Sequence, residues 1–150
     1  MSWPWHRRRR QAYEGTRRVL VPFFGALDPV VLDAAIRIAR AEEATLVAAY
    51  LLVVPLQYPE DSARKDQVAQ ALPLLEAVEH AALRAHVPVD ARIEKGRSPT
   101  HALRRLWEVE RFDRIVAPAS GFTAKELAWL LTHAPYETVV LRPAPVPVAA

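Results

Sequence analysis

Residues 18–39 read RVLVPFFGALDPVVLDAAIRIA, and this stretch decides the fold class. Arg18 to Phe24 is a short, almost unbroken apolar run closed by Gly25, the pattern of a strand buried on both faces. Asp28-Pro29 then supplies an N-cap acceptor followed by proline at the first helical position, where a missing N–H costs nothing. Beyond it Leu32, Ala35, Ile36 and Ala39 recur at i, i+3, i+4 and i+7, one apolar face of a helix. Strand, turn and helix in this order open an alternating β/α chain.

The alternation continues to the carboxyl end. Thr45 to Val54 is a second apolar run, ended by Pro55, and residues 55–65 are polar, carry Pro55 and Pro59, and read as a loop. Asp66 to His86 is helical by period, with Val68, Leu72, Leu75, Val78 and Ala82 aligned; Pro73 inside it predicts a kink or a late start. Val89, Ala91 and Ile93 alternate with Asp90, Arg92 and Glu94, which predicts an edge strand open to solvent on one side. Ser98-Pro99 repeats the cap-plus-proline device, followed by Ala102, Leu103, Leu106 and Val109 on one face. Arg114 to Ala117 is a short buried strand. Thr123 to Glu126 reads as a capping box, opening a helix with Ala124, Leu127, Ala128 and Leu131 aligned. Tyr136 to Leu141 is a last, β-branched strand, and residues 143–150, with three prolines, read as extended. Five strands alternating with four helices predict an α/β fold with a parallel sheet covered on both faces.

The 150 residues are 51% hydrophobic and 25% charged, as expected for one globular domain. The absence of cysteine excludes disulfides, thiolate metal sites and cysteine nucleophiles. No apolar run reaches the ~18 residues of a membrane-spanning helix, and Met1 to Arg10 lacks the apolar core of a secretory signal, so the expected location is the cytoplasm. The net charge of +3 is unevenly spread: residues 1–18 hold six arginines and one acid, +5, and the remainder holds 14 basic and 16 acidic residues, −2. The basic surplus belongs to the leader. Residues 1–16, with Trp3, Trp5 and Arg7 to Arg10, are expected to form a flexible, dispensable extension. It would make at most a weak contact with an anionic surface and bind no specific nucleic acid.

Catalytic constellations are missing. Five histidines are scattered; His80 and His86, six apart, do not share a helix face, and His101 is expected to be a solvated surface residue. There is no metal site, no G-x-S-x-G elbow, no G-x-x-x-x-G-K phosphate loop and no G-x-G-x-x-G fingerprint. The pairs Glu42 with Glu43, Glu60 with Asp61 and Glu108 with Glu110 are expected to be solvated charge. Trp107 and Trp129 stand beside the apolar stripes, as partly buried packing residues do.

Four stretches nevertheless point to a family: Arg18 to Pro22, Gly96-Arg97-Ser98-Pro99, Phe112 to Val116, and above all His133-Ala134-Pro135 with the strand Tyr136 to Leu141. Over residues 17–143 the chain resembles the universal stress protein family. The resemblance implies a single domain with a five-stranded parallel sheet of order 3-2-1-4-5, Rossmann-like and akin to the adenine-nucleotide alpha hydrolases. It also implies a nucleotide crevice outside the ends of strands one and four. The family's ATP-binding members carry an acid at the end of strand one, just before a glycine; here Phe24 precedes Gly25. Their phosphate motif opens on glycine, where this chain has Pro118, without an N–H; Gly121 matches the second glycine, and no third follows between Phe122 and Thr132. The ligand-cleft candidates are therefore Phe24, Gly25, Gly96, Arg97, Ser120, Gly121 and Thr123, with Thr123 first of all an N-cap. ATP is not expected as a cofactor.

The expected function is that of a non-catalytic regulatory protein acting through dimerisation and partner contact; the alternative is a module binding a small ligand or nucleotide in a cleft made apolar by Phe23, Phe24 and Pro118. The implied strand order leaves the last strand at an edge. Thr138, Val139, Val140 and Leu141, with Tyr136, would form a homodimer interface, with Glu137 of one copy near Arg142 of the other.

Overall fold

The structure is a computed structural model that describes residues 17–59 and 65–142. The expected extension 1–16, the tail from residue 143 and part of the loop, residues 60–64, lie outside the described residues.

Five strands, β1 (Arg17–Phe23), β2 (Ala44–Val53), β3 (Val89–Gly96), β4 (Arg114–Pro118) and β5 (Glu137–Leu141), alternate with four helices, α1 (Pro29–Ala41), α2 (Lys65–Arg84), α3 (Pro99–Val109) and α4 (Ala124–His133). All strand pairs are parallel, in the order β3-β2-β1-β4-β5. Parallel crossovers are right-handed, so the direction of each step fixes the face its helix takes. The steps β1 to β2 to β3 run one way, and α1 and α2 share one core cluster with Val19, Val21 and Phe23. The steps β3 to β4 to β5 run the other way, and α3 and α4 share the opposite cluster with Leu20, Val47 and Ile115. The central strands are buried on both sides, as their unbroken apolar runs predicted.

The helix starts follow the caps. Asp28 accepts the Val30 N–H at 2.8 Å, and Ser98 accepts that of His101 at 3.1 Å. Pro73 lies inside α2 without delaying its start; it sits on the exposed side, where solvent can satisfy the Ala69 carbonyl that loses its donor.

Four expected faces need correction. In α1 the buried row is Val31, Ala35, Ile36 and Ala39, with Leu32 at its margin. In α2 it is Ala71, Leu75, Val78 and Ala82, with Val68 and Leu72 half-buried. In α3, Val109 is 78% exposed, because the core ends at Leu106. In α4 only Leu130 is fully buried, with Leu127 and Trp129 beside it, while Ala124, Ala128 and Leu131 face out. Docking against α3 rotates this helix away from its smallest residues and toward its largest.

One glycine is set by close approach. A Cβ on Gly96 would stand 2.7 to 2.8 Å from the backbone nitrogen, Cα and Cβ of Ala102 in the first turn of α3, and a helix backbone cannot give way as a side-chain tip can. Gly96→Ala is expected to cost about 1–3 kcal/mol, read as a lower urea midpoint. A variant as stable as the parent would show that α3 does not dock on the end of β3.

Candidate functional site

In an open α/β sheet the ligand crevice lies outside the carboxyl ends of the strands, where strand order reverses. Here that is between β1 and β4. The two strands pair at Val19 with Arg114 and Leu20 with Ile115, whereas β1 and β2 pair from Arg17 to Phe23. Past Leu20 the β1–β4 ladder stops. Pro22 and Pro118, which have no N–H to donate, occupy these two strands beyond that point.

Beyond the strands the chain turns at Gly25, φ +76°, and at Gly121, φ +93°, conformations that glycine adopts without strain. The turns meet. A Cβ on Gly121 would stand 3.4 Å from the Phe24 carbonyl oxygen, and the Phe24 and Phe122 rings pack edge to face with centroids 5.1 Å apart. Phe122 is 7% exposed, and both rings rest on the cluster that holds Leu20, Leu103 and Leu130. An aromatic pair thus spans the reversal point. The Phe23 ring lies on the other face, edge to face with Tyr50, so the expectation that it lines the same cleft is corrected.

The remaining candidates divide into two groups. Thr123 accepts the Glu126 N–H at 3.1 Å and its own N–H donates to the Glu126 carboxylate at 2.8 Å, so its hydroxyl is committed to the start of α4. Ser120 is exposed beside Gly121. Gly96 and Arg97 belong to a corner over β2 and β3. Arg97 Nη1 donates to the carbonyls of Pro55 and Tyr58, each at 2.7 Å, pinning the turn after β2. The Arg97 N–H reaches His101 Nδ1 at 3.3 Å. His101 is therefore half-buried and holds this corner, not the solvated residue expected. Phe24, Gly25 and Gly121 come together; Arg97 is spent on backbone carbonyls. Phe122 was missed, although its place before the Thr123 cap, with Leu127 at the fourth helical position, is that of a hydrophobic staple.

The candidate interface is partly revised. β5 is an edge strand, with Thr138 to Leu141 half-buried. Tyr136 turns inward, edge to face on Phe112. Glu137 is held at 2.9 Å by Arg114 of its own chain, so its pairing with Arg142 of a second copy would have to displace that bond. Behind the edge, Trp107 and Trp129 stack at 5.5 Å and join α3 to α4, with Arg104 over the Trp129 ring at 5.2 Å and His133 stacked on it at 5.1 Å.

The largest departure lies near the amino ends of the strands. The polar side of β3 is not open: Asp90 is 1% and Arg92 0% exposed. α3 leaves the end of β3 and returns over it, so its last turn covers that face. Arg92 donates to Asp90 at 2.5 Å, to Glu94 at 3.3 Å and to both oxygens of Glu110. Glu110 also takes Arg18 at 2.9 Å, whose guanidinium lies 4.8 Å over the Phe112 ring. Glu42 likewise binds Arg114 at 2.5 Å. Glu110 and Glu42, expected as solvated charge, are both structural anchors. Burial pushes the Glu110 carboxyl up, but the hydrogen bonds and charge of Arg92, then Arg18, outweigh it and hold it at about 2, against an ordinary 4.5. Among the described residues no cluster of histidine, aspartate or glutamate is placed to hold a metal ion, and no helix is long and apolar enough to cross a membrane.

A model of the universal stress protein family matches residues 15–150. No curated protein sequence matches. Among solved structures, the chain is similar to the universal stress protein UspA from Lactobacillus plantarum, with TM-score 0.68, 19% identity, and coverage of 85% of this chain and 98% of that one. It is also similar to an Arabidopsis thaliana universal stress protein family protein with AMP bound, with TM-score 0.64, 19% identity and coverage of 84% and 91%. A third is the universal stress protein from Archaeoglobus fulgidus in complex with dAMP, with TM-score 0.66, 12% identity and coverage of 83% and 96%.

Because its folded pKa is depressed, Glu110 stabilises the fold above about pH 4.5, and that contribution is lost as pH falls toward 2. Glu110→Gln should remove that part of the acid transition and cost about 1.5–3 kcal/mol at neutral pH, because the buried Arg92 keeps Asp90 and Glu94 but loses the charge that Glu110 brings. Equal acid unfolding curves for variant and parent would refute the anchor.

Proposed function

The chain belongs to the universal stress protein family, and on that premise we propose that it is a non-catalytic regulatory member whose nucleotide crevice is closed by its own side chains. The observation that carries this reading is the Phe24–Phe122 pair across the reversal point. A triphosphate site needs backbone N–H groups approached without hindrance and charge to match the phosphates. In this chain Phe24 stands where an ATP-binding member carries an acid, Pro118 brings no N–H, and Arg97 is already bonded to carbonyls. The cytoplasm is the proposed location.

The second reading, a module for a smaller nucleotide, is favoured by the similar structures that hold AMP and dAMP. Gly121 and the start of α4 would then meet a single phosphate. Calorimetric titration separates the two. The proposed reading expects no saturable heat with ATP and magnesium or with AMP. Micromolar binding of ATP would overturn it, and saturable AMP binding alone would establish the second.

We further propose a homodimer through β5, supported by its place at an edge and by the half-buried run Thr138 to Leu141 without an internal charge. Such an edge pairs with another chain unless something blunts it. Light scattering is expected to give a dimer, and Val140→Lys a monomer of unchanged fold. A parent protein that scatters as a monomer at tens of micromolar refutes this interface.

A further inference from the structure

A groove of about 480 Å³ runs between α1 and α2, on the sheet face opposite the Phe24–Phe122 pair. Its floor is Ile36 and Val78, 5% and 1% exposed, and half-buried Leu32 and Leu74 form its walls. The volume exists because Ala77 and Ala81 of α2, with Ala85 just past its end, line it. Spaced four apart, they share one face, and their methyl groups are too short to fill the space between two helices.

Two charged residues line this apolar trough, Asp33 and Arg84. Asp33 is already paired with Arg37 at 2.9 Å. Arg84, the last residue of α2, is exposed and has no ion-pair partner among the described residues. From Leu74 to Arg84 the helix rises about 15 Å. The groove is therefore a long apolar channel with, at one end, a cation that has no ion-pair partner among the described residues.

We propose that this groove binds a single-chain amphiphile with an anionic head, of the fatty-acid class. The alkyl chain lies over Ile36 and Val78, and the carboxylate meets Arg84. The volume falls in the range of small-molecule sites, roughly 300–1,000 Å³. Burying the chain gives the affinity, and the charge-assisted bond to Arg84 selects an acid over a neutral alcohol. A second protein helix would also seek an apolar groove, but the guanidinium of Arg84 at its end, without an ion-pair partner among the described residues, favours a ligand with a single anionic group.

The test uses the full chain with dodecanoic acid and dodecanol below their aggregation limits, followed by calorimetry. Saturable binding of the acid is expected, roughly tenfold tighter than the alcohol. Arg84→Gln should weaken the acid to the level of the alcohol and leave the alcohol unchanged. Ala81→Phe, which fills the trough, should abolish both; if it lowers the melting temperature, Ala77→Leu at the exposed rim takes its place. Absence of saturable binding, or binding that neither substitution alters, overturns the proposal. So does binding that appears only after residues 143–150 are deleted, since the chain's own tail would then be the occupant.

Discussion

The structure depends on one constraint: β1 and β2 have helices on both sides, so their side chains must be apolar in both directions. Val19, Val21 and Phe23 serve one cluster while Leu20 serves the other. Once right-handed crossovers assign α1 and α2 to one face and α3 and α4 to the opposite one, the remaining geometry follows. Strand order must reverse beside β1, leaving a gap at the carboxyl ends of β1 and β4. Two strands must become edges, and α3 must cross back over β3 to reach β4.

That last consequence explains the buried ions. β3 is an edge, and an edge needs charge or cover against unwanted pairing. It carries Asp90, Arg92, Glu94 and Lys95, yet the returning end of α3 buries part of that set. A lone buried guanidinium would be costly; held by Asp90 and Glu110 it is tolerated, although Arg92 Nε and Asp90 Oδ1 find no partner among the described residues. Breaking such a set is far more costly than forming it is favourable. The network therefore fixes the position of the α3 end more than it adds net stability. Through Arg18 it also ties that end to β1, where the chain makes a second attachment: the Arg18 N–H donates to the Asp113 carboxylate and the Asp113 N–H to the Arg18 carbonyl, both at 2.8 Å. β5, the other edge, carries no charge beyond its first residue, Glu137.

The elements, their order and the caps were legible because each rests on local rules. Apolar period gives element type, and Asp28, Ser98 and Thr123 mark helix starts by side-chain chemistry alone. What failed needed knowledge of a distant neighbour. The alternation Asp90, Arg92, Glu94 is the same whether water or Glu110 stands above it. The orientation of α4 is set by the Trp107–Trp129 stack, between residues 22 apart in sequence. In the candidate site Phe24 and Pro118 could be read from single positions. That Phe24 meets Phe122, and that Arg97 turns to the carbonyls after β2, depends on two loops converging, which no local pattern records.

On the proposed reading, Phe24 and Pro118 as departures from the ATP-binding pattern reinforce each other. Exchanging an acid for Phe24 removes an acceptor, but a ring exposed at a strand end would gain little by itself. Phe122, buried before the α4 cap, gives it a partner, and an edge-to-face pair contributes about 0.5–1.5 kcal/mol beyond the area it buries. With Pro118 ending β4, a donor is absent from the same rim. On the proposed reading a nucleotide entering here would have to separate the two rings, and would find fewer donors once inside. Restoring one position leaves the other obstacle in place. The proposed closure would thus be a joint property of the turns after β1 and β4, and Gly121 is accounted for by turn geometry, at φ +93° against the Phe24 carbonyl, without any need for a phosphate.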